Sequence, residues 1–396
     1  MARAADPLAL PRVPAPALPR HRRRDALATV LFVGAIAAMG VAAFRPRAET
    51  TLDAENRRLA PWPQPRLART FAAEFERAFA DRFGGRDALL RLHNRMLVRA
   101  FGVSPSPNVL LGRDGWLYFL GEDATAFDRY FRGTLPVTDA EIRAVVAELV
   151  RRERFLAAHG IAYVVTLAPD KYTIYPEHLP AWARHASGPT PLDRLAAALG
   201  AEGTLRYVDL RAPLRAAKAS ERVYYASDSH WNSLGAAVAY REIMRAVAAA
   251  LAPRAVSATP VVQPPYVPGV DIYHGDLARM TGDPARFGEP DHAPQWKILA
   301  ASQSRCARRI DAGSDAGLEW YACDRPGLPR AVVYRDSMGI PLVPLLSENF
   351  SRVAYVSSRR LDPAFVLREH PDVVVEELVE RSMLAPAALP MPDPVR

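Results

Sequence analysis

Two cysteines in 396 residues, with no cluster of histidine and cysteine at ligand spacing, leave this chain without a zinc ribbon or a cysteine-rich metal motif. No internal repeat is present, which excludes solenoids and propellers. No lysine- and arginine-rich stripe interleaved with aromatics occurs either, although the net charge is +8. Six arginines and one acid fall within the first 24 residues, so that tail alone carries five of the eight excess charges. The remainder is nearly balanced, and nucleic acid is not an expected partner. At 49% hydrophobic and 24% charged, the chain is neither a solvated disordered tail nor a collagen-like repeat.

One long apolar run is present, Ala26 to Phe44, nineteen residues without a charge. At ~1.5 Å per helical residue it reaches across a bilayer core. His21-Arg22-Arg23-Arg24 precede it, so the positive-inside rule keeps the N-terminus in the cytoplasm and places everything after Phe44 outside. A signal peptide cleaved after Val41-Ala42-Ala43 and a buried core helix are the competing readings. The expected layout is a cytoplasmic basic tail (1–24), a transmembrane signal-anchor (25–44), a membrane-proximal helical segment (45–107), a main domain (108–385) and a disordered proline-rich tail (386–396).

Export implies an oxidising compartment. Cys306 and Cys323 flank the turn-rich stretch 311–317, and a hairpin centred between Ser314 and Asp315 sets opposite each other residues whose numbers sum to 629. Cys306 and Cys323 sum to 629, which predicts a disulfide.

The pattern from Glu55 to Phe101 is helical, and Phe71, Phe75, Phe79 and Phe83, four residues apart, form a candidate core stripe. Val109 to Phe119 is a predicted hairpin, with Trp116 in its core. Thr138 to Ala158 is an amphipathic helix opened by a capping box at Thr138 and Glu141. Strands at Ile161–Leu167, Arg206–Leu210, Val223–Ala226, Ala331–Tyr334, Arg352–Val356 and Asp372–Glu376 then alternate with helices at Pro191–Leu199, Pro213–Ala219, Ser233–Ala250, Gly339–Glu348 and Pro363–Glu369. Short apolar strands separated by helices predict an α/β fold, a parallel sheet flanked by helices on both faces.

Two segments of that domain carry candidate chemistry. Asp228-Ser229-His230-Trp231 follows the predicted strand Val223–Ala226, and Asp336-Ser337 follows Ala331–Tyr334. Sites in parallel sheets form beyond the carboxyl ends of the strands, so both segments should face one crevice. A serine at a strand-to-helix turn exposes its hydroxyl, the next helix offers backbone N–H groups to an oxyanion, and an acid two residues from a histidine can orient the imidazole. Asp-Ser at a helix start is by itself more often an N-cap, and a lone Asp-x-His is a weak signal; their joint placement at strand ends of one sheet is what points to catalysis.

Asp228-Ser229-His230-Trp231-Asn232 with Tyr334-Arg335-Asp336-Ser337 resembles the SGNH-like alginate O-acetyltransferase family of AlgJ and AlgX. Similar to the same family are Asn56-Arg57-Arg58-Leu59, Asp81-Arg82-Phe83, Gly112 to Leu117, Pro169-Asp170-Lys171, Ile174 to Glu177, Gly275-Asp276-Leu277-Ala278 and Glu348 to Val353. The resemblance implies an SGNH-hydrolase-like (flavodoxin-like) fold and a triad of Asp228, His230 and Ser337, in a chain order permuted from that of ordinary SGNH hydrolases. It further implies an acetyl-serine intermediate and transfer to hydroxyls of an exported polysaccharide. A membrane-bound O-acyltransferase would supply acetyl groups, no cofactor or metal is called for, and the catalytic domain would stand in the periplasm on a single inner-membrane pass. Arg335 replaces the glycine many SGNH enzymes carry before Asp-Ser, and no carbohydrate-binding module follows the domain, as in the anchored J type. Lys171 and Tyr175, beyond the end of strand Ile161–Leu167, are candidates for a substrate contact or, equally, for a structural role. Trp231 is a candidate for stacking on a sugar or for packing the loop, and Arg335 for a sugar carboxylate or a local acid. A secreted esterase with the same triad and a non-catalytic polysaccharide-binding protein are the alternative functions.

Overall fold

The computed structural model describes residues 22–42, 51–52, 57–64, 69–82, 86–121, 125–185, 188–252, 272–290, 306–311, 317–383 and 391. The chain forms two compact units, Met1–Leu90 and Arg91–Arg396.

In the first unit the helix Arg22–Ala42 covers most of the predicted apolar run. Leu27, Val30, Leu31, Phe32, Val33 and Ile36, which lie all round it, are exposed. Among the described residues no helix is long and apolar enough to cross a membrane. A two-residue pair, β1 (Thr51–Leu52) with β2 (Arg57–Arg58), precedes the helix Phe71–Arg82. The phenylalanine stripe on that helix is not core. Ala78 and Asp81 are its buried residues, whereas Phe71, Phe75 and Phe79 stack along the surface at centroid spacings of 6.2 and 6.1 Å. Buried Asp81 accepts the Ala60 N–H at 2.8 Å, and Trp62 of the same segment packs against Phe75 with ring centroids 5.5 Å apart. Phe83 lies outside the described residues.

The second unit begins with the predicted hairpin, β3 (Val109–Leu111) against β4 (Leu117–Phe119), Val109 facing Phe119. Its main body is a seven-stranded sheet. In chain order the described strands continue as β5 (Ala162–Ala168), β6 (Arg206–Asp209), β7 (Ile272–Tyr273), β8 (Glu289–Pro290), β9 (Arg308–Asp311), β10 (Leu318–Ala322), β11 (Arg330–Arg335), β12 (Arg352–Val356) and β13 (Val373–Val379). The spatial order is β6-β5-β13-β11-β12-β10-β9, with β7 and β8 forming a separate pair. The first five are parallel, as the alternation predicts, but β10 and β9 add antiparallel strands at one edge, so the sheet is mixed.

That edge is the cysteine hairpin. Tyr321 pairs with Arg309 and Ala322 with Arg308, one residue out of the predicted register, and a bulge separates Trp320 from Tyr321. Cys306 and Cys323 flank the ladder with Cα atoms 4.9 Å apart and are disulfide-bonded. Residues 312–316, the predicted turn, lie outside the described residues.

Both faces of the parallel strands are covered, which is why the strands read as unbroken apolar runs. Val164, Val333, Val353, Val373 and Val375 pack under the helix Ser233–Ala250, while Val165, Val332, Ala354, Val374 and Leu378 pack under the helices Asp139–Ala158 and Pro191–Ala201. The Thr138 box forms as expected: its hydroxyl accepts from Glu141 N–H at 3.2 Å, and Glu141 accepts from Thr138 N–H at 2.8 Å. The predicted helix Gly339–Glu348 is instead three short pieces, Ser337–Leu342, Val343–Leu346 and Ser347–Asn349. Pro341 and Pro344 each remove an N–H that a continuous helix would use. Of the tail expected to be disordered, Met391 is described and buried, its N–H donated to Glu148 at 2.7 Å. Other residues of 386–396 lie outside the description.

Val223–Ala226 is not a strand. Its only bridge joins Tyr224 to Trp231 across a tight loop. Side chains satisfy the backbone groups that a ladder would have taken: Glu289 accepts the Ala226 and Ser227 N–H groups at 3.1 and 2.8 Å, and Lys171 donates to the carbonyls of Tyr225, Ala226 and Asp228 at 3.0, 3.0 and 2.6 Å.

Candidate active site

Ser337 stands at the carboxyl end of β11, in the centre of the sheet, and is exposed. Asp336 shapes its turn. One carboxylate oxygen accepts the Met338 N–H at 2.8 Å and the other the Val379 N–H at 2.7 Å, tying the turn to β13. The Ser337 amide is left unengaged by that cap. Gly339 is required beneath the turn, since a Cβ there would lie 2.6 Å from the Glu377 carboxylate and 2.7 Å from Arg335 Cβ.

The second half of the site is the loop 223–232. Lys171 and Glu289 suspend it from below, and Asn232 ends it by capping the helix Ser233–Ala250 through the Gly235 N–H at 3.1 Å. The loop brings His230 Nδ1 to 2.6 Å from Asp228 Oδ1 and His230 Nε2 to 2.9 Å from Ser337 Oγ. Asp228 Oδ1 also accepts the His230 N–H at 3.0 Å. Its other oxygen accepts Tyr273 Oη–H at 2.7 Å and the Asp276 N–H at 2.9 Å. Every strong acceptor position of Asp228 is thus occupied by a donor aimed at it.

The electrostatics follow from this geometry. Burial favours neutral Asp228, but the bonds from His230, Tyr273 and Asp276 outweigh it and hold the carboxyl well below its ordinary range. Burial likewise opposes charge on His230, yet the bond to Asp228 and the charges of Asp228 and Asp276 raise its pKa overall. An ionised acid beside an imidazole with a strengthened affinity for protons, itself bonded to a serine hydroxyl, can act as a general base that activates an alcohol nucleophile.

Ser337 opens onto a crevice of about 220 Å³ lined by Phe119, Tyr130, Arg359, Arg381 and Ser382. Arg381 is held over the Phe119 ring by an ion pair with buried Asp170.

The structure brings Asp228, His230 and Ser337 together but puts the other expected site residues elsewhere. Lys171 is buried, its ammonium consumed by three loop carbonyls, and burial pulls its pKa down to about 7. Tyr175 is buried against Trp116 and accepts the Val223 N–H at 2.9 Å. Trp231 is 1% exposed and packs edge-on against Tyr224. Trp116 is core, as expected. Arg335 lies beneath the sheet surface, 3.8 Å from Glu319 and beside Glu377. Burial drives the Glu377 carboxyl toward its neutral form. None of Lys171, Tyr175, Trp231 and Arg335 lines the crevice.

Sequence reasoning missed Tyr273, Asp276, Arg359 and Arg381. Asp276 carried a signal, since Gly275-Asp276-Leu277-Ala278 was among the family-like stretches; Arg381 was recoverable only by extending β13 to its true end at Val379. Among the described residues, Asp228, His230 and Asp276 are the one group whose ligand-type atoms lie within 4.8 Å of one another. Those atoms are engaged by each other, by Ser229 and by Tyr273, and no metal is assigned to them.

A parallel-stranded α/β core presenting an acid–imidazole–serine relay at its strand ends defines the SGNH-hydrolase-like class. The chain belongs to the family described as SGNH hydrolase-like domain, acetyltransferase AlgX, whose model matches residues 109–311. Asp228 and His230 fall inside that span and Ser337 beyond it. The chain is 30% identical over 218 residues to a protein named probable alginate O-acetylase AlgJ from Pseudomonas putida, covering 54% of this chain and 51% of that one. A protein of the same name from Pseudomonas syringae pv. tomato is 33% identical over 144 residues, 36% of this chain and 34% of its own length. The chain therefore spans about half the length, or less, of the curated relatives it matches. Among solved structures, the O-acetyltransferase domain of Pseudomonas putida AlgJ aligns with a TM-score of 0.46 and 22% identity, over 70% of this chain and 92% of that one. Bacillus cereus PatB1 aligns with a TM-score of 0.49 and 14% identity, over 69% and 96%.

Proposed function

We propose that this chain is an O-acetyltransferase that moves acetyl groups onto hydroxyls of an exported polysaccharide. The observation that carries the reading is the relay of Asp228, His230 and Ser337 at 2.6 and 2.9 Å in a member of an acetyltransferase family. In the proposed cycle Ser337 Oγ attacks the acetyl carbonyl while His230 Nε2 takes its proton, and Asp228 stabilises the resulting imidazolium. The Ser337 amide, free of the Asp336 cap, is a candidate donor to the oxyanion. Collapse expels the donor's leaving group, which takes the proton from His230, and an acetyl ester remains on Ser337. A polysaccharide hydroxyl then gives its proton to His230 and attacks that ester, after which His230 returns the proton to Ser337.

Relatives named alginate O-acetylases support a polysaccharide acceptor. The nineteen-residue apolar run behind an arginine cluster supports a single inner-membrane anchor with the catalytic unit in the periplasm, and a membrane-bound O-acyltransferase is the proposed acetyl source. Brief incubation with an activated acetyl ester should leave an adduct of about 42 Da on Ser337, absent in Ser337→Ala. Adding oligosaccharide should speed turnover and yield acetylated sugar. Release of acetate alone would make the protein an esterase, and full activity in Ser337→Ala would remove the triad.

A further inference from the structure

His230 faces a carboxylate besides Asp228. Asp276, at the start of the helix Asp276–Met280, accepts the Ser229 N–H at 2.7 Å on one oxygen and the Ser229 hydroxyl at 2.5 Å on the other. The second oxygen lies 3.7 Å from His230 Nδ1, and Ser229 Oγ, 3.2 Å from the same nitrogen, stands between them. The Asp276 backbone N–H meanwhile binds Asp228. One residue thereby holds Asp228 and Ser229 directly and sets its charge beside His230. Its carboxylate is too far from Nδ1 for a hydrogen bond but near enough to act on the imidazolium by charge.

We propose that Asp276 is a second acid of this site, a positioning residue that holds His230 through Ser229 and stabilises its protonated form. The inference rests on the acetyltransfer reading for its catalytic meaning, though not for its electrostatic content. The groups facing the imidazole are Asp228 from its own loop, Ser337 from the β11 turn, Asp276 and, from beyond β13, Arg381, whose charge opposes the two acids. Tyr273 and Lys171 act one step away, on Asp228 and its loop. Gly275 has to be small for this arrangement, because a Cβ there would lie 2.3 Å from Ser227 O and 2.5 Å from Asp228 N. The Asp276 backbone therefore runs directly against the acid-bearing loop.

The test is titration of the His230 imidazole by nitrogen NMR in the full chain, with pH–rate profiles of acetyl-ester cleavage alongside. Asp276→Asn keeps polar groups for Ser229 but removes the charge. The His230 titration should move to lower pH, and the acid limb of the rate profile should move with it. Asp276→Glu retains the charge and should restore the wild-type limb even if its maximal rate is lower. Asp228→Asn should keep residual activity that Asp228→Asn/Asp276→Asn reduces by a further factor of about ten or more, equivalent to about 1.4 kcal/mol of barrier. A His230 titration unchanged in a folded Asp276→Asn protein, or a double variant no slower than Asp228→Asn, would overturn the proposal. Loss of the acetyltransfer reading would show separately, as activity indifferent to Ser337→Ala while the NMR shift persists.

Discussion

At the scale of single residues, the site depends on a histidine that must be neutral to accept the Ser337 proton. Its pKa is raised, so the neutral form is lost on acidification at a higher pH than for an ordinary imidazole near 6.5. The acid limb of the rate profile should accordingly lie above that value, with Asp228 still ionised throughout because its own pKa is lowered. Substituting Ser337 or His230 by Ala should reduce ester cleavage by about three orders of magnitude or more, and the double variant should be little worse than either. Lys171 yields a different kind of loss. Lys171→Met strands the carbonyls of Tyr225 and Asp228, while that of Ala226 keeps the Leu117 N–H at 2.9 Å, and each unsatisfied buried acceptor costs about 1–3 kcal/mol. Thermal melts should show a clear drop in stability, and the rate should fall with the maximal velocity rather than with substrate affinity, since Lys171 does not reach the crevice.

Among elements, one contact decides whether the halves of the site meet and another holds the edge of the sheet. Gly275→Ala forces a Cβ into the backbone of Ser227 and Asp228, and even a small displacement there separates His230 from Ser337. Activity should fall by about a hundredfold, whereas Gly203→Ala, which meets nothing within 4 Å, should be near neutral. The second contact is the Cys306–Cys323 bond, which ties the start of β9 to the end of β10 at the antiparallel edge. Its reduction should cost roughly 3 kcal/mol in the chain-entropy account, read as a lowered denaturant midpoint under reducing conditions. The elements also show where the residues speak plainly. Helix Ser233–Ala250 and strand Arg352–Val356 are legible to the residue, one from its Asn232 cap and small apolar face, the other from a buried β-branched and aromatic run. Val223–Ala226 misleads because four strand-like residues cannot reveal that Lys171 and Glu289, far off in sequence, will take their hydrogen bonds. Asp228, His230 and Ser337 were legible from motif alone. Arg359 and Arg381 were not, since only the sheet order brings them to the crevice.

For the whole molecule, the anchor reading has a topological consequence. A reporter fused after Arg396 should be active only outside the cytoplasm, and the mature chain should retain Met1; recovery of soluble protein beginning near Phe44 would replace the anchor with a cleaved signal. The order of loss on heating follows from how the two halves of the site are mounted. Ser337 sits on β11 between two parallel neighbours, in the most cooperative part of the sheet. His230 rides on a loop outside the ladder, held by a handful of side-chain bonds that can open without the sheet. The base should therefore detach before the nucleophile's scaffold melts. Warming should inactivate the protein reversibly several degrees before its circular-dichroism transition, and the amides of Tyr225 and Ser227 should exchange with solvent by that local opening while those of Val332 and Val333 wait for global unfolding.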